Sequence, residues 1–218
     1  MMTHAYDEDY LDDVMQGLGG MFQYAVCDCG RDIDGFFCQF ISSGVAEQIE
    51  KGNPRYLCGL SGIELAGAVF YGNEGSAPDI EATFQMERTP EYWVGWILAY
   101  YQWETGLKFR DMLECGLPPS KVLSMYLLHE ADKSKFVEVA NDIVRRGFAK
   151  RETNLRRIRR SEELSQMQLA VKSGVSVRMI QLYEQKRNDI NKAQAITLLA
   201  LSRSLFCKIE DLLDPIIP

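Results

Sequence analysis

Residues 164–184, LSQMQLAVKSGVSVRMIQLYE, read as two short helices joined by a tight turn. Ser165 carries a hydroxyl that can accept from the free N–H groups at a helix start, and Gln166 follows in the exposed first turn. Leu169 and Ala170 fall on the inward side. Gly174 permits the positive φ that ends a helix, and Val175 plugs the turn into a core. Ser176 caps the next helix, where Ile180 and Tyr183 share the buried side at i, i+3 spacing. Val177, Arg178, Gln181 and Leu182 are left on the outer side.

Further matches lie on both sides of this segment. Residues 154–214 resemble the Cro/C1-type helix-turn-helix family, also called XRE or lambda-repressor-like. The resemblance is carried by Leu155, Arg159, Leu164, Ser165, Gln166, Leu169, Ala170, Gly174, Val175, Ser176, Ile180, Tyr183 and Glu184. Thr197-Leu198-Leu199, Leu205 and Glu210-Asp211-Leu212-Leu213 match the family's closing helices. It implies a five-helix DNA-binding domain that lays the second helix of its helix-turn-helix in the major groove. A helical hairpin of chance similarity, and a fold kept for protein interaction, are the competing readings. The chain departs from the family at Glu163, Lys186 and Phe206, where glycine is common. A side chain forced into the left-handed region at such a position costs about 1 kcal/mol.

The resemblance also implies roles. Gln166 and Ser176, at helix N-termini, are expected to hold DNA phosphates. Arg178 is expected to read guanine, Gln181 adenine, and Val177 or Leu182 a thymine methyl. Arg159 and Glu184 match a pair that ties the first helix to the recognition helix, a structural role. Lys186 and Arg187 are expected on backbone phosphate, with a solvated pair as the alternative.

Charge is divided along the chain in the same sense. The whole sequence carries a formal −7, which alone argues against a nucleic-acid partner. Residues 1–150 hold 12 Lys and Arg against 23 Asp and Glu, a net −11, whereas residues 151–218 hold 12 against 8, a net +4. An acidic body with a basic module is the footprint of a DNA reader with another attached function. Arg156, Arg157 and Arg160 are candidates for phosphate contact, against a merely solvated helix face.

The 218 residues make room for one small module and one domain of ordinary size. We expect an acidic helical domain over 1–147, a linker over 148–153 and the helix-turn-helix domain over 154–218, the whole being all-α. No apolar run approaches the roughly 20 residues that span a bilayer. The opening MMTHAYDEDYLDDV is acidic and lacks a basic-then-apolar export signal, so a cytoplasmic location is expected. Cys27, Cys29, Cys38, Cys58, Cys115 and Cys207 lack the spacing of a disulfide framework, and only His4 and His129 could add metal ligands. Free thiols, no metal and no cofactor are expected.

Residues 7–26, 33–42 and the run from Ser61 to Phe70 carry helical apolar spacing, the last opened by a Ser61/Glu64 capping box. Gly19-Gly20 is expected to bend or divide the first of these. Thr89-Pro90, Pro118-Pro119-Ser120 and Ala131-Asp132-Lys133 read as further helix starts. Trp93, Trp96, Tyr100 and Trp103 fall on one helical face, a core or interface stripe, or else a groove for a partner or small effector. No phosphate-binding Gly loop, nucleophile elbow or His-Glu-x-x-His motif is present, and no enzyme is expected. The expectation is a transcriptional regulator that binds double-stranded DNA as a homodimer. The alternative is an antitoxin that neutralises a toxin protein through residues 1–147 and represses its own operon.

Overall fold

Two glycines decide how the N-terminal helices pack. A methyl group at Gly95 would overlap the carbonyl oxygen of Leu18 and lie 2.7 Å from its carbonyl carbon. One at Gly62 would lie 2.6 Å from both the Gly20 carbonyl carbon and the Met21 nitrogen. The computed structural model describes residues 4–83 and 88–216, and all regular structure among them is helical, with no strand. The chain separates into two compact units, one within Met1–Gly147 and one of Phe148–Ile216. None of the described helices is long and apolar enough to cross a membrane.

In the first unit α1 (Leu11–Gln23) is followed by a π-helical turn, Tyr24–Asp28, and then α2 (Ile33–Ser42), α3 (Val45–Glu50), α4 (Pro54–Leu57) and α5 (Gly62–Glu74). Next come α6 (Pro90–Thr105), α7 (Phe109–Glu114), α8 (Pro119–Leu123) and a 3-10 turn, Tyr126–Glu130, before α9 (Lys133–Lys150). Helix α1 lies against both α5 and α6. Gly19-Gly20 therefore does not divide it. The local helix penalty of about 1 kcal/mol per glycine is outweighed, because the missing side chains let α5 and the Tyr92 ring approach the α1 backbone.

Phe22, Phe36, Phe37, Phe40, Phe70 and Phe109 fill the space between these helices. Edge-to-face pairs include Phe22–Phe36 at 5.6 Å and Phe40–Phe109 at 5.1 Å between centroids. Ser61 and Glu64 form a reciprocal capping box at the start of α5, and Thr89 caps α6 with Pro90 in its first turn.

The aromatic stripe of α6 is not a free face. Trp93 and Trp103 are 8% and 5% exposed, which places them in the core of the unit, the first of the readings offered for the stripe, and not on a surface open to a partner. The opposite side of α6 carries Val94, Ile97, Leu98 and Tyr101, also buried. A helix apolar all round is a core helix, and its aromatic spacing follows from that. Trp96 and Tyr100 are half-buried, with the Lys133 ammonium 5.6 Å and 4.5 Å from their ring centroids.

The division between the units falls inside α9. Of the expected linker 148–153, the first three residues are thus helix, and Thr153 is a buried cap. No proline or capping residue stops α9 near Gly147. That glycine stands where the helix passes against the Cys115 backbone.

Glu50, closing α3, accepts the Phe109 N–H at 2.8 Å and so caps α7, which has no side-chain cap of its own. Burial pushes its carboxyl up to about 7. Unfolded, the same group ionises near 4.3, so between these values the folded form binds more protons. Its contribution is greatest at low pH and is lost as pH rises through about 7. Glu50→Gln should therefore gain stability relative to the parent by on the order of 1–3 kcal/mol between about pH 4.5 and 7.5. Urea unfolding across that range checks it; a difference between the two proteins that stays constant with pH would refute the assignment.

Candidate functional site

The second unit is built by α10 (Asn154–Ser161), α11 (Gln166–Ser173), α12 (Val177–Glu184), α13 (Ala195–Ser204) and α14 (Ile209–Leu212), with a 3-10 turn at Ile190–Lys192. Leu155, Leu169, Ile180, Tyr183, Leu198, Leu201, Leu205 and Leu212 form its buried core, with Val175 packed from the turn.

Local chemistry fixes each end of the two central helices. Ser165 Oγ accepts from the Gln168 N–H at 3.2 Å, and Gln168 Oε1 accepts from the Ser165 N–H at 2.8 Å, so α11 opens on a capping box. Gly174 ends it at φ 72°, donating to the Ala170 carbonyl. Two residues later Ser176 accepts from the Met179 N–H and starts α12. The turn is three residues long, so α11 and α12 are bound into one packed pair.

Glu184 is where three helices meet. Arg159 of α10 donates through Nε to Glu184 Oε1 at 2.6 Å and through Nη2 to Oε2 at 2.9 Å. Gln166 of α11 donates its amide to Oε2 at 2.7 Å. The Arg159 and Glu184 side chains are only 11% and 2% exposed, and Arg159 also donates to the Leu164 carbonyl. The hydrogen bonds that Arg159 donates to Glu184 raise the guanidinium above its ordinary value, outweighing burial. Gln166, half-buried, is thereby turned to Glu184, whereas a phosphate role would turn it outward.

On the outer side of α12, Arg178 is exposed and Val177, Gln181 and Leu182 are half-buried, all outside the core. Among the described residues the side chains of Arg178 and Gln181 make no hydrogen bond or ion pair. Ser176 and Arg187 are exposed. No protein-family model, curated protein or solved structure matches this chain. Its functional reading therefore rests on geometry.

The remaining basic candidates are placed elsewhere. Arg156 and Arg160 both pair with Glu152, at 2.9 and 3.3 Å, and Arg157 donates to Asn154 Oδ1. The Lys186 ammonium donates to the Phe148 carbonyl and lies 3.9 Å from the centroid of that ring. Arg156, Arg160 and Lys186 line a single cavity together with Lys150 and Arg151, at the C-terminal end of α12.

Sequence reasoning passes over a polar knot that closes the unit. Asn154 donates its backbone N–H to Asp214 and its amide to the Leu213 carbonyl, while Asn191 and Asp214 exchange two further bonds. Burial raises the Asp214 carboxyl, opposed by the Asn154 N–H. No local signal marks these residues, because their partners are 23 to 60 positions away. Among the described residues no group of three or more His, Cys, Asp or Glu could hold a metal ion, and all six cysteines are free thiols.

Glu163, Lys186 and Phe206 take φ of 55°, 55° and 53°, the only non-glycine positive values among the described residues. Each follows a helix end of Schellman type, with the next N–H reaching back five residues: Leu164 to Arg159, Arg187 to Leu182, and Cys207 to Ser202.

Two substitutions test this architecture. Arg159→Met leaves Glu184 buried without its cation and should cost about 3–5 kcal/mol in chemical denaturation, whereas Arg159→Met with Glu184→Leu should recover much of it. A loss under 1 kcal/mol in the single variant would show that the pair is dispensable. Phe206→Gly relieves the left-handed strain at a ring that is 83% exposed, and should raise stability by about 0.5–1 kcal/mol; a destabilised variant would show that the ring is doing something its exposure conceals.

Proposed function

We propose that the chain is a sequence-specific DNA-binding regulator whose C-terminal unit is a lambda-repressor-like helix-turn-helix domain. The observation that carries this reading is the division of α12. Its inner side is locked by Ile180, Tyr183 and the Glu184 ion pair, while the side chains of Arg178 and Gln181 meet no hydrogen-bond or ion-pair partner among the described residues. A rigid helix with an arginine and a glutamine on its outer side offers the bidentate donors and acceptors that base edges in the major groove require.

Three observations support it. The capped three-residue turn sets α11 against α12. The left-handed residues stand where the family commonly has glycine. Residues 151–218 carry +4 on a chain of −7, a local cation excess that phosphate attraction needs. In this reading Val177 and Leu182 add apolar contacts to thymine methyls, and exposed Ser176 and Arg187 hold backbone phosphates. Two copies would meet half-sites about one helical turn, ~34 Å, apart.

The test is selection of a binding sequence from random duplexes, followed by fluorescence anisotropy with Arg178→Ala/Gln181→Ala. The double variant should lose at least tenfold in affinity for the selected site, since each bidentate base contact is worth about 1–3 kcal/mol, while residual salt-dependent binding persists. Unchanged affinity in a folded double variant would sink the base-reading assignment, and failure to enrich any sequence would sink the function.

A further inference from the structure

We propose that the cavity at the C-terminal end of α12, of about 330 Å³, is a binding site for phosphate groups. Five cationic side chains line it, Lys150, Arg151, Arg156, Arg160 and Lys186, against two carboxylates, Glu152 and Glu184. Glu184 is already neutralised by Arg159 from behind the wall. The five cations are therefore set against Glu152 on the wall and the Asp214 carboxyl close to Arg151 and Lys186, which leaves a surplus of positive charge at the opening.

The arrangement of that counter-ion is informative. A single oxygen of Glu152 takes Arg156 Nε at 2.9 Å and Arg160 Nη1 at 3.3 Å, so two guanidinium groups stand side by side, one turn apart on α10. Each guanidinium has five N–H donors, and one carboxylate oxygen engages only one from each. The pair is thus pre-positioned for a second, tetrahedral anion that can accept from both.

Lys186 adds an independent indication. It occupies a left-handed backbone position at φ 55°, where glycine would be unstrained. Its ammonium lies over the Phe148 ring and donates to the Phe148 carbonyl, which holds a cation at the cavity wall at the cost of that strain. The volume is at the lower end of the roughly 300–1,000 Å³ found for small-molecule sites. That suits a pyrophosphate or the phosphates of a nucleotide better than a large apolar compound.

This site is separate from the proposed base-reading side chains. Arg178 stands six residues before Glu184, about 9 Å along the helix axis at about 1.5 Å per residue. The phosphates could belong to a free phosphorylated small molecule or to the backbone of a nucleic acid.

Isothermal titration of the full chain with sodium pyrophosphate, at constant ionic strength in chloride buffer, tests the proposal without DNA. A failure of the DNA-binding reading would leave its outcome intact. One saturable site is expected, weakened at least tenfold in Arg156→Gln/Arg160→Gln, whose side chains are exposed enough for folding to persist by circular dichroism. Arg157→Gln, on the same helix but outside the cavity, should keep the parent affinity. Absence of saturable binding, or an equal loss in Arg157→Gln, would overturn the site in favour of diffuse charge attraction. With binding established, competition by a 20-base-pair duplex would support the site with backbone phosphate as its source, and lack of competition would support it with a free phosphorylated compound.

Discussion

The C-terminal unit depends on a carboxylate that has been taken out of water. Glu184 receives two hydrogen bonds from Arg159 and one from Gln166, so α10, α11 and α12 are referred to one buried charge. Such a pair is weak evidence for net stability, because the desolvation of both ions opposes their attraction. What it supplies is geometry. Sliding or rotating α12 against α10 would strand a carboxylate in the interior, and the fork of a guanidinium admits few other arrangements. The orientation of the outer side of α12, with Arg178 and Gln181, follows from that restriction. The Leu164 carbonyl is drawn in as well, which fixes the chain between α10 and α11.

The N-terminal unit reaches definition by the opposite means. Where the smaller unit uses one charge to register three helices, the larger one uses missing side chains. At Gly95 and Gly62 the backbones of α6 and α5 come so near α1 that any Cβ would collide. The approach lets α1 sit between two helices and surrounds it with the phenylalanine cluster. An apolar core of this kind tolerates changes of shape poorly, since interiors are packed at crystal-like density. A methyl group at Gly95 would have to move two helices rather than one side chain.

Legibility in the sequence followed the range of the interaction. Ser165, Gly174 and Ser176 are recognisable because a cap or a left-handed turn is settled within four residues. The all-helical character of both units was open to reading for the same reason. Gly19-Gly20 misled because helix propensity registers a local cost, while the compensating approach of α5 and Tyr92 is tertiary. The α6 stripe reads as core or interface, or else a groove, and stays open between them, because periodicity shows which residues share a face, not whether the opposite face is also covered. Gln166 looked free to meet a phosphate until Glu184, eighteen residues away, claimed its amide. The basic cavity was illegible: its residues run from 149 to 186, and the position of the Lys186 ammonium depends on a left-handed φ and on Phe148.

The distribution of backbone strain bears on how the smaller unit uses its sequence. Three of its helices end on side-chain-bearing residues in the left-handed region, at about 1–2 kcal/mol each. Each ending also gains the reach-back hydrogen bond that satisfies an orphan carbonyl, which explains why the geometry persists whatever residue occupies it. The residue chosen is then free to serve another purpose. Phe206 and Glu163 point to solvent, where nothing in the structure rewards the strain. Lys186 does not: its ammonium is held against Phe148, on the wall of a cavity lined by four other cations. Of the three strained positions, it alone lines that cavity.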